Sequence, residues 1–198
     1  MQAQTTETAP EAPAIRYAYK ASLIGAAHRF ELTKAGLAFH LAGRSAIWPY
    51  AEISAITLSY RPVWMQAHRF RADIRHESGA RLSVLSTSWQ TAALMAAQDD
   101  LYRAFIRDLH ARLAAAGSRA KLNGGLGRIS YAAAVALAGL VGVMLIILFI
   151  RALVTGEYAG ALFFIGFAAL FGWQIGGFVR RNRPVAYSWD RLPAVLLP

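Results

Sequence analysis

Apolar and polar residues alternate with a period of two through most of the first 85 residues. Tyr17, Tyr19, Ala21 and Leu23 alternate with Arg16, Ala18, Lys20 and Ser22, the spacing of a half-buried strand. The same period places Phe30 and Leu32 on one face, then Leu37, Phe39 and Leu41 beyond the turn Lys34-Ala35-Gly36. A short strand at Ser45–Trp48 stops at Pro49, which has no N–H to give to a ladder. Ile56, Leu58 and Tyr60 form a fifth set, and Phe70, Ala72 and Ile74, between Arg69, Arg71, Asp73 and Arg75, a sixth. Leu82 and Val84 follow the turn Glu77-Ser78-Gly79. The pattern predicts seven short strands. The period then lengthens. Ser86, Thr87 and Ser88 offer N-caps, and Leu94, Ala97, Leu101, Phe105, Leu109 and Leu113 recur at steps of three or four, predicting an amphipathic helix that ends at Gly117. Arg103, Arg107, Asp108 and Arg112 fall on its wet side.

Periodicity then gives way to two charge-free runs, Ile129–Ile150 of 22 residues and Tyr158–Phe178 of 21. A hydrocarbon core of ~30 Å takes about 20 helical residues, so each run is long enough to cross a bilayer. Arg119, Lys121 and Arg128 precede the first run and Arg180, Arg181 and Arg183 follow the second, whereas the seven-residue connection carries only Arg151 and Glu157. Basic residues stay on the cytoplasmic side, which predicts a hairpin with both termini in the cytoplasm. Ala134, Ala138 and Gly142 on the first span, and Gly172 and Gly176 on the second, are small residues at four-residue spacing. They suit close helix packing, within the hairpin or between copies of the chain in a homo-oligomer. Gln174 is the strongly polar side chain deep in the spans, and its place near the cytoplasmic end suits an interfacial or packing role.

Composition agrees with a membrane protein: 56% of residues are hydrophobic and 16% charged, too apolar for an ordinary soluble domain. No cysteine is present, which excludes disulfides, a Cys nucleophile and Cys-ligated metal. Eighteen Arg against three Lys, with abundant Ala, point to a GC-rich bacterial source. The opening MQAQTTETAPEAPA lacks a basic region followed by an apolar run, so it reads as a disordered tail and not a signal peptide.

The residues offer little chemistry. His28, His40, His68, His76 and His110 include no HxH or HxxxH pair, so no metal site is expected. Asp99 and Asp100 are adjacent on a helix and point apart, a poor acid–base pair whose ordinary role is to complement the helix dipole. Gly124-Gly125-Leu126-Gly127 lacks the Lys-Ser/Thr of a phosphate loop and reads as a flexible linker. Neither an enzyme nor a cofactor is expected. Residues 1–128 carry 16 Lys/Arg and 9 Asp/Glu. No nucleic-acid-binding motif accompanies that excess, and an anionic leaflet is the nearer explanation.

Seven strands followed by one amphipathic helix is also the element order of the pleckstrin-homology fold. The stretch HRFELTKAGLAFHLAGRSAIWPYAEISAITL, His28–Leu58, resembles bacterial PH-like domains, in which a hairpin leads through a Trp-Pro turn into the next sheet. The closing RNRPVAYSWDRLPAVLLP resembles the endings of small bacterial membrane proteins. The PH-like resemblance implies a curved sheet capped by the helix and a role in binding lipid head groups or proteins. Eukaryotic lipid-binding members place basic residues between the first two strands, whereas here that connection is Ile24-Gly25-Ala26-Ala27.

The expected organisation is therefore a tail over 1–14, a cytoplasmic, mainly β PH-like domain over 15–116, and a basic Gly-rich linker over 117–128. A transmembrane hairpin over 129–178 and a Pro-containing cytoplasmic tail over 179–198 complete it. The expected role is a binding or adaptor module of the bacterial inner membrane. It would engage a protein partner or anionic lipid through Arg69, Arg71 and Arg75 on one strand face and Arg119, Lys121 and Arg128 in the linker. The alternative is an accessory subunit of a larger membrane complex, such as a transporter, assembled through the hairpin.

Overall fold

A computed structural model describes residues 15–62, 68–91 and 94–198, so the expected tail over 1–14 lies outside the described residues. The molecule is a mixed β-sheet domain joined to helices, two of which are long and apolar enough to cross a membrane.

Strands β1 (Ile15–Tyr19), β2 (His28–Leu32), β3 (Leu37–Leu41) and β4 (Arg44–Trp48) form an antiparallel meander. Pro49 turns the chain out of this sheet through a short 3-10 turn at Tyr50–Glu52. β5 (Ile53–Tyr60), β6 (Phe70–His76) and β7 (Arg81–Leu85) form the antiparallel centre of a second sheet. These seven are the strands that the alternation predicts. Their inward residues share one core, with Tyr17, Phe30, Leu32 and Leu37 from the first sheet and Ile56, Leu58, Ala72, Ile74 and Val84 from the second. The hydroxyls of Tyr17 and Tyr19 donate to the Leu85 and Ser83 carbonyls (2.6 and 2.5 Å). The two tyrosines thereby join the sheets and cover the free edge of β7.

The helix expected from Ser86 onward begins later. β8 (Thr87–Thr91) and β9 (Leu94–Ala97) form a hairpin, and α1 runs Asp99–Ala115. Two of the three hydroxyl residues that read as caps have other duties. Ser86 Oγ accepts from the Phe70 amide (2.9 Å), and Ser88 Oγ accepts from the Lys20 amide (3.0 Å). Both hold the hairpin against strands that the local pattern cannot name. The apolar stripe also shifts: Tyr102, Phe105, Ile106, Leu109 and Leu113 enter the core, while Leu101 is 62% exposed. Asp99 and Asp100 occupy the first turn of α1, where its dipole favours carboxylates.

The segment read as a flexible linker is structured. β10 (Lys121–Gly124) lies parallel to β5, pairing Lys121 with Ala55 and Gly124 with Leu58. It leads into α2 (Arg128–Val154), which turns back as α3 (Tyr158–Arg181). After α3, β11 (Val185–Ala186) pairs antiparallel with β10, giving the second sheet the order β11-β10-β5-β6-β7. The closing residues then cross the domain. Leu196 and Leu197 are buried in the shared core together with Ala120 and Leu122, and Tyr187, Trp189 and Leu192 pack against it. The folded β domain thus extends beyond 15–116 and draws its last strands from both sides of the helical hairpin.

Candidate functional site

The junction between sheet and hairpin is tightly built. A β-carbon at Gly124 would lie 2.7 Å from Leu196 Cδ1 and 2.8 Å from Val185 Cγ1. At Gly125, with φ +81°, it would lie 2.4 Å from the Arg183 carbonyl oxygen and 2.5 Å from that of Asn182. These glycines serve close backbone approach rather than flexibility. The Gly125 amide donates to the Leu58 carbonyl (2.8 Å) and the Leu126 amide to the Asn182 carbonyl (2.9 Å). The start of α2 and the end of α3 are therefore side by side on one sheet edge. Arg128, Arg180, Arg181 and Arg183 consequently gather where both helices meet the domain. Arg181 places its guanidinium 4.8 Å from the centre of the Tyr60 ring.

Beside this collar a groove of about 760 Å³ runs along the end of α3, past Tyr60, Pro62 and His68. Its lining includes Tyr60, His68, Trp173, Gln174, Arg180 and Arg181.

Across the domain, closing segment and helix meet at His110 and Tyr187. His110 is buried on α1; its Nδ1 lies 2.7 Å from the Ile106 carbonyl oxygen and its Nε2 2.9 Å from the Tyr187 hydroxyl. Trp189 packs edge-on against the same ring. Burial holds the imidazole below its ordinary 6.5, against a smaller upward pull from the Ile106 carbonyl.

Arg71 and Arg75 share the face of β6 opposite the buried Phe70, Ala72 and Ile74, as the alternation predicts, but the basic residues differ in how their charges are engaged. Arg71 donates through Nε to Asp73 Oδ1 (2.8 Å) and through Nη2 to Ser83 Oγ (3.0 Å), so its charge is engaged. Arg69 precedes β6 and is half-buried; burial, then the neighbouring Arg71, lower its pKa. Arg119 is exposed in the bend before β10, and Arg128 belongs to the helical collar. Arg75 and Lys121 do come together. Register places Lys121 beside Ala55, Ala55 beside Arg75 and Arg75 beside Arg81, one row across four strands. Lys121, Arg75 and Arg81 are all exposed on it. Sequence reasoning missed Arg81, which faces Arg75 across the β6–β7 hairpin, while Lys121 reaches the row only once β10 joins the sheet. The next row, Asn123, Thr57, Asp73 and Ser83, carries the acid that engages Arg71.

Within one copy of the chain, the glycines of the two small-residue stripes do not pack against the neighbouring helix. A β-carbon at Gly142, Gly172 or Gly176 would meet nothing within 4 Å. α2 and α3 approach at the far end instead, where Ala152 and Ala161 are buried and a β-carbon at Gly160 would sit 3.8 Å from Ala152 Cβ. Toward the sheet a groove of about 660 Å³ remains between the helices, with Ala138, Gly142, Gly172 and Gly176 among its lining.

Among the described residues, no three His, Asp or Glu side chains come together as a metal site. No family model, no curated protein and no solved structure matches this chain.

Proposed function

We propose that this protein is an adaptor of the bacterial inner membrane, a PH-like domain mounted on a two-helix anchor, that binds an acidic protein partner at the cytoplasmic surface. The observation carrying this reading is the row Lys121–Ala55–Arg75–Arg81 on a sheet continuous with both helices. The four-strand meander, the second sheet and the closing α1 support the PH-like part of it. Neither helix is buried in its most apolar window, and apolar surface of that extent is incompatible with water. Arginines flank the sheet end of the hairpin, while the distal loop carries one Arg and one Glu, which favours the cytoplasm for the domain.

The distance of the row from the helices favours a protein over the leaflet as its partner. β10 carries the chain from Lys121 to Gly124, so the row lies about 10 Å further from the helices than Gly124 does. That is roughly one Debye length at physiological salt, enough to weaken attraction to the bilayer. An acidic surface arriving from the cytoplasm would meet three exposed cations.

The second reading is an accessory subunit, and the unfilled groove lined by Gly142, Gly172 and Gly176 favours it. A photo-crosslinking residue at Ala55 and another at Ile146 separate the two in intact cells. The adaptor reading expects a protein adduct at Ala55 that disappears with Arg75→Glu and Arg81→Glu. Adducts only at Ile146 would support the subunit.

A further inference from the structure

We propose that the groove beside α3 is a binding site for one anionic phospholipid, its phosphate held by Arg180 and Arg181. This rests on the placement of α2 and α3 in the membrane but not on any protein partner.

The groove changes chemistry along its length in the order a phospholipid does. Arg180, Arg181 and His68 stand at the sheet end, where a phosphate would lie. Gln174 is seven residues below Arg181 on α3, about 10 Å by helical rise, at the depth where hydrogen-bonding groups of the glycerol esters give way to chains. Trp173, beside it and 79% exposed, has the amphipathic ring favoured at that boundary. Gly172 and Gly176 line this groove and also the apolar groove between α2 and α3. Without side chains there, an acyl chain can pass from one groove to the other across the face of α3. A free phosphate would use only the upper end.

The charge balance points the same way. Among the described residues no carboxylate pairs with Arg180 or Arg181, and no acid lines the groove. Arg181 is restrained by the Tyr60 ring, which aligns its guanidinium before a ligand arrives. Two arginines beside a lipid phosphate are together worth about a 30-fold change in binding.

The test uses full-length protein released from detergent micelles in native mass spectrometry, with phosphatidylglycerol and phosphatidylcholine of identical chains. Retention of phosphatidylglycerol should exceed that of phosphatidylcholine by at least about tenfold. Arg180→Gln with Arg181→Gln should cut it about 30-fold, Arg75→Gln should leave it unchanged, and millimolar inorganic phosphate should not displace it. Gly176→Leu, which leaves both arginines in place, should weaken retention by closing the passage between grooves. Equal retention of the two lipids would overturn the site, as would displacement by phosphate alone or a second protein copy occupying the groove in lipid's place. Resistance of the chain to alkaline extraction from membranes is measured in parallel. If the chain is released, the membrane reading itself fails; if it stays without lipid preference, only this site fails.

Discussion

The carboxamide of Asn182 pairs with the backbone of Tyr60 as a strand residue would. The Tyr60 amide donates to Asn182 Oδ1 (3.1 Å), and Asn182 Nδ2 donates to the Tyr60 carbonyl (2.9 Å). Asn182 is fully buried and is the first residue beyond α3, so one side chain ends the helix and fastens it to the last residue of β5. Asn182→Ala removes both of these hydrogen bonds from a buried site, a loss of roughly 3 kcal/mol. The expected signs are faster exchange of the Tyr60 amide and new tryptic cleavage after Arg181. Protection equal to wild type would show that the clasp contributes nothing.

Gly125 and Gly43 offer a controlled comparison. Both have φ near +80°, but a β-carbon at Gly43 meets open space. Gly43→Ala should cost only the left-handed penalty, about 1–2 kcal/mol. Gly125→Ala adds overlap with two carbonyl oxygens and should cost at least ~3 kcal/mol, visible as a lower melting midpoint in detergent. Equal midpoints for the two variants would contradict the close approach at the junction.

Acid should loosen the closing segment. The native environment lowers the His110 pKa, chiefly by burial, so the unfolded chain takes up a proton more readily near its ordinary 6.5. The contribution of neutral His110 is complete above that value and declines as pH falls through it. Tyr187 and Trp189 are the groups facing the ring from the closing segment. Between pH 8 and pH 5 the wild-type melting midpoint should fall more than that of His110→Gln. Parallel curves would remove His110 from the account.

Orientation is open to direct assay. A reporter active only in the cytoplasm should work when fused after Pro198, and one active only in the periplasm should work when inserted near Thr155. The reverse pattern at either place would put the β domain on the other side.

Six of the seven strands were legible because they bury one face and so obey a period of two, whereas β4, exposed except at Trp48, was legible from the Pro49 that ends it. The hairpin β8–β9 was not, because Leu94 and Ala97 satisfy a helical spacing with Leu101 by accident, and the duties of Ser86 and Ser88 are set by distant backbone. β10 has four residues, of which Leu122 is its buried apolar side chain, too little for a local pattern. Its pairing with β5 spans more than 60 residues of chain, and β11 reaches it only after both long helices. The two charge-free runs were plain from composition, while the row through Arg75 depended on that remote register. The small-residue stripes were visible as well, but spacing alone does not tell which neighbour, if any, covers them.

Strands on either side of the hairpin close a single sheet, holding the β domain directly on the two long helices. Asn123 and Ala186 are register partners in β10 and β11, and the chain has no native cysteine. Paired strand residues come within the Cα separation a disulfide requires. Asn123→Cys with Ala186→Cys, in membranes under mild oxidation, should therefore cross-link in nearly every molecule. With a protease site inserted near Thr155, cleavage should give two halves that run together on a non-reducing gel and separate on reduction. Halves that separate without reductant, while intact protein remains in the membrane, would contradict the closed sheet.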